Sequence, residues 1–319
     1  MKLEDIGFYT LSDKRVKTSS INSPLMRGEL ILTDRCNLKC PYCRGLKKEL
    51  QGDIPLPLAQ YIISIWQEHK IQNIRFSGGE PTLYPHLLSL VKGCKNIGIE
   101  RIAISTNGTA DLSFYDELIE NGANDFSISL DAGCCNVGDI MCGGVKQAWE
   151  RASKAIEYLS KKTYVTIGIV FNEQNEQHTK EIIKHCDSLN PSDIRIIPSA
   201  QFGKVLPDLL KSSQNFISKY PILRYRIENN KPIRGLSEKD ASKCRLVLDD
   251  VAVAGRYAFP CIIYMREGGR PISIMNENFR IKRYEWYKKH NSKQDNICKN
   301  NCLDVCIEYN NLANIEVVE

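Results

Sequence analysis

The sequence lacks long hydrophobic runs. No segment approaches the roughly 18 uncharged apolar residues that a membrane-spanning helix needs, so we expect no membrane partner. The N-terminal stretch MKLEDIGFYT also lacks the basic and then apolar order of a secretory signal peptide. Together these absences predict a cytoplasmic protein.

The sequence also lacks a strong excess of either charge. Its 319 residues carry 43 Lys and Arg against 38 Asp and Glu, and only a mild basic excess lies near residues 280–293. A nucleic-acid-binding protein concentrates far more positive charge on one surface, so we expect no nucleic-acid partner. The length and the 42% hydrophobic content predict two globular domains, or one large α/β domain with an appendage.

Histidine is scarce, whereas cysteine is abundant. The five histidines are scattered, and we expect surface or packing roles for His178 and His185. Thirteen cysteines in a chain too long to need disulfides are expected to ligate metal, to react or to fill the core. Cys94 and Cys186 stand alone in predicted helices and are expected in the core. The others form three groups: Cys36, Cys40 and Cys43; Cys134, Cys135 and Cys142; and Cys244, Cys261, Cys298, Cys302 and Cys306.

Short β-like runs alternate with helical ones from residue 29 onward. The alternation predicts a parallel sheet with right-handed crossovers, and six units are too few to close an eight-unit barrel. The predicted fold class is therefore α/β, a partial (β/α)6 TIM barrel with a small C-terminal domain. Strands are predicted at 29–33, 73–77, 101–106, 125–130, 164–171 and 193–198, and helices near 57–69, 85–95, 112–121, 144–161 and 176–189.

The alternation stops near residue 205. We divide the chain into an N-terminal extension over 1–27, a barrel over 28–204, and a linker with a cysteine-rich domain over 205–319. Parallel sheets carry their chemistry at the carboxyl ends of the strands, in the loops that lead into helices. Motifs in those loops are the candidate sites.

The first cysteine group, Cys36, Cys40 and Cys43, has the spacing C-x3-C-x2-C and follows the first predicted strand. Three thiolates on one loop can hold three irons of a cubane cluster and leave the fourth iron open. The alternative is a zinc knuckle completed by a distant Cys or His, although compact zinc sites usually pair their ligands as C-x2-C.

The segment CNLKCPYC resembles the signature of the radical S-adenosylmethionine (SAM) superfamily, C-x3-C-x-aromatic-C, with Tyr42 in the aromatic position. That signature follows the first strand of a partial (β/α)6 barrel. The resemblance covers residues 28 to about 200. A second family marker, a Gly-Gly-Glu-Pro loop after strand two, is present as Ser77, Gly78, Gly79, Glu80 and Pro81.

The resemblance implies a 4Fe-4S cluster on the first cysteine group and SAM on its open iron, with the methionyl amine held by Gly78, Gly79 and Glu80. Its first step is reductive cleavage of SAM to a 5′-deoxyadenosyl radical, which abstracts a hydrogen atom from the substrate. A one-electron reductant such as flavodoxin or ferredoxin is therefore an expected partner. The ends of strands three to five are expected to contact SAM or substrate, although turn formation and helix capping are the alternatives. These positions are Ser105, Asn107, Ser129, Asp131 and Val170.

The C-terminal cysteines can supply the four ligands of a second cubane with one left over. If residues 298–306 are helical, Cys298, Cys302 and Cys306 share one face. The arrangement resembles the twitch domain, the shortened relative of the SPASM domain, which binds one auxiliary 4Fe-4S cluster. We expect Cys244, Cys261, Cys298 and one of Cys302 or Cys306 as ligands, with zinc as the main alternative metal.

The middle group, Cys134, Cys135 and Cys142, follows predicted strand four on the expected active-site face. A thiol there can return a hydrogen atom to a substrate radical, which would give an epimerisation. The alternatives are unligated thiols that fill the loop and extra metal ligands.

The leading hypothesis is a radical SAM oxidoreductase or epimerase that acts on a small polar substrate, such as a sugar, a nucleotide or an aminoglycoside-like molecule. The alternative within the superfamily is a ribosomal-peptide maturase, although 27 residues before the barrel are few for the peptide-recognition domain of many such enzymes. The alternative from another class is a non-catalytic zinc or iron-sulfur binding module, which predicts no SAM binding.

Overall fold

The computed structural model describes residues 14–43, 45, 49–199, 219–229 and 232–313. Most of the stretch 201–234, predicted as helix and loop, lies outside these residues. The strands are β1 Arg27–Thr33, β2 Asn73–Gly78, β3 Arg101–Thr106, β4 Asp125–Ser129, β5 Tyr164–Phe171, β6 Asp193–Pro198, β7 Asp250–Ala254, β8 Tyr257–Phe259 and β9 Ser273–Ile274.

Helices alternate with the first six strands and continue after them. They are α1 Leu56–Glu68, α2 Leu87–Asn96, α3 Leu112–Glu120, α4 Cys135–Met141, α5 Ala148–Ser160, α6 Thr179–Ser188, α7 Pro221–Asn229, α8 Leu246–Asp249, α9 Ile262–Arg266, α10 Phe279–Lys289, α11 Asn296–Asn301 and α12 Asp304–Leu312. All six predicted strands are present. The α/β class with an open, parallel sheet of partial-barrel type is confirmed. Among the described helices, none is long and apolar enough to cross a membrane.

The region after β4 contains one helix more than the sequence predicts. The helix predicted near 144–161 is present as α5, which begins at Ala148, and a separate helix, α4, ends before it at Met141. Gly143, Gly144 and Gln147 have φ of +80°, +82° and +62°, and left-handed residues cannot continue a right-handed helix. The loop expected after strand four therefore contains a helix of its own.

The described chain forms two compact units. The first takes its residues from Met1–Asp34, Gly45–Ala103 and Arg234–Glu319. In it, β1 pairs in parallel with β2 on one side and with β7 on the other, and β8 and β9 continue the sheet antiparallel. Strand β7 was missed by the sequence analysis, which expected the alternation to end near residue 205.

Strand β7 is attached to β1 by more than backbone pairing. Every residue of β7 is buried, and the Arg27 guanidinium forms an ion pair with Asp250 at 2.6 Å, with side chains only 11% and 5% exposed. The buried Arg283 of α10 donates to the carbonyls of Val247 and Phe259 at 2.8 and 2.7 Å and to that of Asp250. These contacts join the cysteine-rich C-terminal segment to the barrel strand that begins the fold.

The second unit takes its residues from Arg35–Arg44 and Ile104–Ile233. Strands β4, β5 and β6 pair in parallel, with Ser129 opposite Gly168. On the helix side, Phe126 of β4 meets Tyr115 of α3 edge-on, with ring centroids 5.7 Å apart. Cys186 of α6 is fully buried, as is Cys94 of α2 in the first unit, so their expected core positions are confirmed.

We predict that Gly28→Ala destabilises the fold by about 1–3 kcal/mol. A Cβ at Gly28 would lie 2.7 Å from the ring of Trp66, which is fully buried. Gly93→Ala in α2 is the matched control, because its Cβ would have no neighbour within 4 Å and Ala favours a helix over Gly by about 0.5–1 kcal/mol. Urea unfolding followed by circular dichroism should shift in opposite directions for the two variants. Equal shifts would contradict the packing described for Gly28.

Candidate metal centres

The first cysteine group lies on a loop that a ring of hydrogen bonds fastens to the residues after β3. Asn37 Nδ2 donates to Thr109 Oγ1 at 2.8 Å, and Asn37 Oδ1 accepts from Asn107 Nδ2 at 2.8 Å. Thr109 Oγ1 donates to Asn107 Oδ1 at 2.7 Å and closes the ring. The backbone between Cys36 and Cys40 is therefore set by uncharged side chains.

A second contact fastens the same loop to the end of α4. The backbone N–H of Lys39 donates to the carbonyl of Cys142 at 3.3 Å. The next residue, Gly143, approaches so closely that a Cβ would lie 2.3 Å from the Lys39 carbonyl oxygen. Glycine is thus required at 143 by the close approach as well as by its positive φ.

A third contact joins Tyr42 to the ends of β4 and β5. The Tyr42 hydroxyl donates to Asp131 Oδ2, and Asp131 Oδ1 accepts from the backbone N–H of Val170 at 2.6 Å. Burial raises the pKa of Asp131 to about 6, and the bonds from Tyr42 and Val170 act in the opposite direction. Three of the residues expected near SAM or substrate therefore contact one another and support the cysteine loop.

The three thiols of this loop suit a cluster with one open iron. Cys36 and Cys43 are exposed and Cys40 is half-buried. Burial, and then the charges of Asp131, Cys142, Cys43 and Cys36, raise the pKa of Cys40 to about 12. Such a thiol ionises readily only when positive charge is placed beside it, and bound iron supplies that charge.

The middle cysteines lie at the two ends of α4. Cys134 caps its N-terminus, Cys135 is its first residue, and Cys142 follows its last turn. Cys134 and Cys135 are exposed, whereas Cys142 is half-buried. Burial, and then the charges of Asp131, Asp139 and Cys36, raise the pKa of Cys142 to about 11. The structure brings Cys142 to the first cysteine group with its thiol protonated at neutral pH.

The Gly-Gly-Glu-Pro loop is shaped by the end of β1. A Cβ at Gly78 would lie 2.4 Å from the Thr33 carbonyl oxygen, and Gly79 N–H donates to that oxygen at 2.8 Å. Glu80 is only 1% exposed, and its Oε1 accepts from Thr82 N and Oγ1 at 3.1 and 2.8 Å. The carboxylate expected to bind the methionyl amine therefore caps the turn that follows it.

The three serines of the candidate SAM site, Ser77, Ser105 and Ser129, occupy different environments. Ser77 is buried and donates to Glu29 Oε1 at 2.8 Å across the β1–β2 pair. Ser105 is half-buried in β3, whereas Ser129 is exposed at the end of β4. Ser129 is thus the strand-end hydroxyl of this set that is open to a ligand.

The five C-terminal thiols converge on one region of the first unit. Burial, and then the charges of Cys306, Cys244, Cys261 and Cys298, raise the pKa of Cys302 well above its usual value. Each of the five is half-buried. Residues far apart in the chain have therefore been brought within mutual electrostatic range, as a shared metal centre requires.

Side chains around this region hold the thiols in place. Asn310 Nδ2 lies 3.7 Å from Cys244 Sγ and 2.9 Å from the carbonyl of Cys306. Cys261 Sγ accepts from the backbone N–H of Tyr264 at 3.4 Å. Cys244 and Cys306 also pack against a small buried core that includes Tyr309.

The condition that would place Cys298, Cys302 and Cys306 on one helical face is not met, because residues 298–306 do not form a single helix. Helix α11 ends at Asn301, Cys302 has extended backbone (φ −59°, ψ 134°), and α12 begins at Asp304. The break lets Gly235 N–H donate to the Cys302 carbonyl at 2.9 Å. The thiols converge through this bend and not through one helical face.

Two residues beside these thiols were missed by the sequence analysis. His290 Nε2 lies 3.5 Å from Cys298 Sγ, and Asp295 accepts from the Cys298 N–H at 2.9 Å. His290 stands eight positions before Cys298, which is not a recognisable spacing of metal ligands. The sequence analysis therefore treated His290 as one of five scattered histidines. The turn between α10 and α11 makes His290 and Cys298 neighbours.

An open parallel α/β sheet of partial-barrel type, with three thiols on the loop after its first strand, defines the class of protein, and comparison with known proteins identifies the family. Residues 30–186 match the profile of the Radical SAM superfamily. This segment, about half of the chain, belongs to the radical SAM superfamily.

The curated relatives match only part of this chain and of themselves. A GTP 3′,8-cyclase from Alkaliphilus metalliredigens is 36% identical over 106 residues, 32% of this chain and 33% of that protein. A pre-heme d1 synthase from Dinoroseobacter shibae is 32% identical over 161 residues, 49% of this chain and 39% of that protein. The chain thus spans less than half the length of either relative.

Solved structures share the fold over more of the chain. Streptococcus suis SuiB bound to its precursor peptide SuiA has a TM-score of 0.63 at 16% identity, covering 84% of this chain and 65% of SuiB. The enzyme anSMEcpe with bound AdoMet has a TM-score of 0.62 at 18% identity, covering 91% of this chain and 94% of that one. At such identities the likeness shows the fold alone.

We predict that Asn37→Ala loosens the cysteine loop without unfolding the chain. The change removes two hydrogen bonds worth about 1 kcal/mol each, so we expect roughly tenfold or faster iron release to a chelator under anaerobic conditions. Asn121→Ala, which removes an exposed amide bond to the Glu117 carbonyl at 2.8 Å, is the control. Equal release rates in both variants would show that the ring does not hold the loop.

Proposed function

We propose that the chain is a two-cluster radical SAM enzyme. Cys36, Cys40 and Cys43 hold a 4Fe-4S cluster with one iron open to SAM. When bound, the cluster and SAM supply the one-electron cleavage that produces a hydrogen-abstracting 5′-deoxyadenosyl radical. The observation that carries the proposal is the fixed loop of three thiols, two exposed and one half-buried, inside the segment that matches the superfamily.

The chain's own residues orient this centre. Asn37, Asn107 and Thr109 hold the thiol loop with hydrogen bonds between uncharged side chains. Gly78 and Gly79 let backbone approach a ligand closely. In this proposal Ser129 contacts SAM or substrate, whereas Asp131, Tyr42 and Val170 act by positioning the loop.

The second proposed cluster is auxiliary and belongs to a twitch-like domain. Five half-buried thiols converge in the first unit, which is one more than a cubane needs. Two of them, Cys244 and Cys261, flank the β7–β8 hairpin. The convergence supports a shared metal centre, and the abundance of thiols supports a cluster over a single zinc ion.

Cys142 is the strongest candidate for a hydrogen-atom donor in the middle group. Its thiol is protonated at neutral pH and lies beside the thiols of the first loop. A thiol S–H is the form that can return a hydrogen atom to a substrate radical. Cys134 and Cys135 are more exposed than Cys142. They are the second candidates for the role of hydrogen-atom donor.

We propose a small polar substrate, with nucleotides as the first class to test. The relative from Alkaliphilus metalliredigens is named a GTP 3′,8-cyclase, which favours nucleotides over the sugars and aminoglycoside-like molecules of the sequence hypothesis. A peptide substrate is the second candidate, because SuiB is recorded with its precursor peptide. The identity of the substrate will decide whether the net reaction is an oxidation, an epimerisation or a cyclisation.

The proposed enzyme needs a one-electron reductant of the flavodoxin or ferredoxin type, and we place it in the cytoplasm. Iron-sulfur clusters with an open iron require a reducing compartment. The chain's many free thiols are consistent with the same compartment.

We predict that replacing Cys36, Cys40 and Cys43 together with Ala abolishes reductive SAM cleavage. The anaerobically reconstituted wild-type chain should hold about eight irons and the variant about four, because each cubane contains four. The readouts are 5′-deoxyadenosine formed with dithionite and iron per chain. Cleavage at the wild-type rate in the variant would refute the proposed centre.

We predict that the double variant with Cys244→Ala and Cys261→Ala loses about four irons, those of the auxiliary cluster, and still binds SAM. The two thiols belong to the first unit, whereas the SAM-binding thiols belong to the second. Iron analysis and electron paramagnetic resonance of the reduced protein measure the loss. Cys94→Ala is the control, because Cys94 is buried alone in α2. Zinc in place of these irons would identify a zinc domain instead.

A further inference from the structure

A histidine, a carboxylate and a thiol meet beside the auxiliary thiols. The ligand atoms of His290, Asp295 and Cys298 all lie within 4.8 Å of one another, and all three residues are half-buried. These are the three side-chain types that bind zinc. The three residues lie within residues 290–298, and the turn between α10 and α11 brings them together.

The imidazole is held firmly by its surroundings. His290 follows α10, and its ring stacks on Trp286 with centroids 3.8 Å apart and an interplanar angle of 16°. Tyr264 meets the same ring edge-on at 6.5 Å. Lys243 Nζ donates to the His290 carbonyl at 2.8 Å and holds the end of the helix. The ring is therefore pre-positioned with Nε2 facing Cys298.

The carboxylate and the thiol are held by the start of α11. Asp295 caps this helix by accepting from the Cys298 N–H at 2.9 Å, and its Oδ2 accepts from the Tyr264 hydroxyl at 3.1 Å. Each carboxylate oxygen has a further lone pair for a metal. The cap keeps the carboxylate and the thiol on the same side of the helix end.

The measured separation fits a single metal ion. Zinc binds His nitrogen at about 2.0–2.1 Å and Cys sulfur at about 2.3 Å, and in a tetrahedral site these two atoms are then about 3.5 Å apart. His290 Nε2 and Cys298 Sγ are 3.5 Å apart. The pair is already at the distance that a bound ion would impose.

The charges also fit a divalent cation. A neutral imidazole, a carboxylate and a thiolate carry two negative charges, which a divalent cation balances. Binding releases the Cys298 proton to solvent and transfers no electron. The nearby Lys243 ammonium is already bound to the backbone carbonyls of Tyr287, Lys288 and His290.

We propose that His290, Asp295 and Cys298 form a mononuclear site for a tetrahedral divalent cation of the zinc class. Cys298 is then the thiol that the auxiliary cluster does not use. The cluster set becomes Cys244, Cys261, Cys302 and Cys306, which replaces the set expected from the sequence. This assignment of Cys298 rests on the proposed function, whereas the cation site itself does not.

The site would fasten the turn that leads to the last two cluster thiols. It joins the end of α10 to the start of α11, and Cys302 follows α11 directly. Three protein ligands leave the fourth tetrahedral position to water. Loss of the cation would therefore loosen the segment that carries Cys302 before it disturbs Cys244 or Cys261.

The test is metal analysis of the intact, anaerobically reconstituted chain with zinc or cobalt as the probe. We expect about one zinc beside about eight irons in the wild type. His290→Gln and Cys298→Ser should lose the zinc and keep the irons. His185→Gln is the matched control, because His185 also lies against a tryptophan, Trp149, at 4.8 Å. Cobalt titration should give thiolate-to-cobalt absorption in the wild type and the control only.

Two results would overturn the proposal. Loss of about four irons in Cys298→Ser would make Cys298 a cluster ligand, and zinc retained in His290→Gln would exclude the imidazole. A wild type with only about four irons would contradict the auxiliary cluster instead. Zinc lost in His290→Gln would still support the cation site in that case, so the two failures are distinguishable.

Discussion

The pairing of β1 with strands on both sides is the constraint on which the candidate centres depend. On one side β2 carries the Gly-Gly-Glu-Pro loop, whose glycines close against Thr33. On the other side β7 brings the C-terminal thiol segment, held by the ion pair between Arg27 and Asp250. The chain leaves β1 directly into the loop of Cys36, Cys40 and Cys43. Strand β1 thus pairs with the strands that carry two of these sites, and the third follows it along the chain.

In both thiol regions the surroundings raise the pKa of the cysteines. Burial makes ionisation of thiols such as Cys40 and Cys302 unfavourable, and neighbouring thiolates make it more so. The buried Asp131 adds negative charge near the first loop, although Arg35 and Lys39 stand beside its cysteines in the sequence. In the C-terminal region, burial raises the pKa of Cys306 and Arg27 opposes that change. A bound metal would add positive charge and stabilise the thiolates of both regions further.

Much of the barrel was predictable because its signals are local. Short β-branched runs bounded by turn residues specify strands wherever they lie, and all six predicted strands are present. The contact of Tyr42 with Asp131 was not predictable, because it depends on how the cysteine loop packs against the residues after β4. Strand β7 was missed for a related reason, since its five residues acquire their role only by pairing with β1. The bend at Cys302 shows that the helical spacing of Cys298, Cys302 and Cys306 does not by itself make a helix.

The sequence by itself determined the family, the first cysteine loop and the strand order along the chain, because spacing and hydrophobic pattern are properties of neighbouring residues. The tertiary structure decided which distant residues share a site. It placed Cys142 beside the first loop and His290 beside Cys298. It also turned Asp131 into a support for Tyr42. These outcomes depend on loop closure, helix ends and burial, which arise only when separate segments pack against one another.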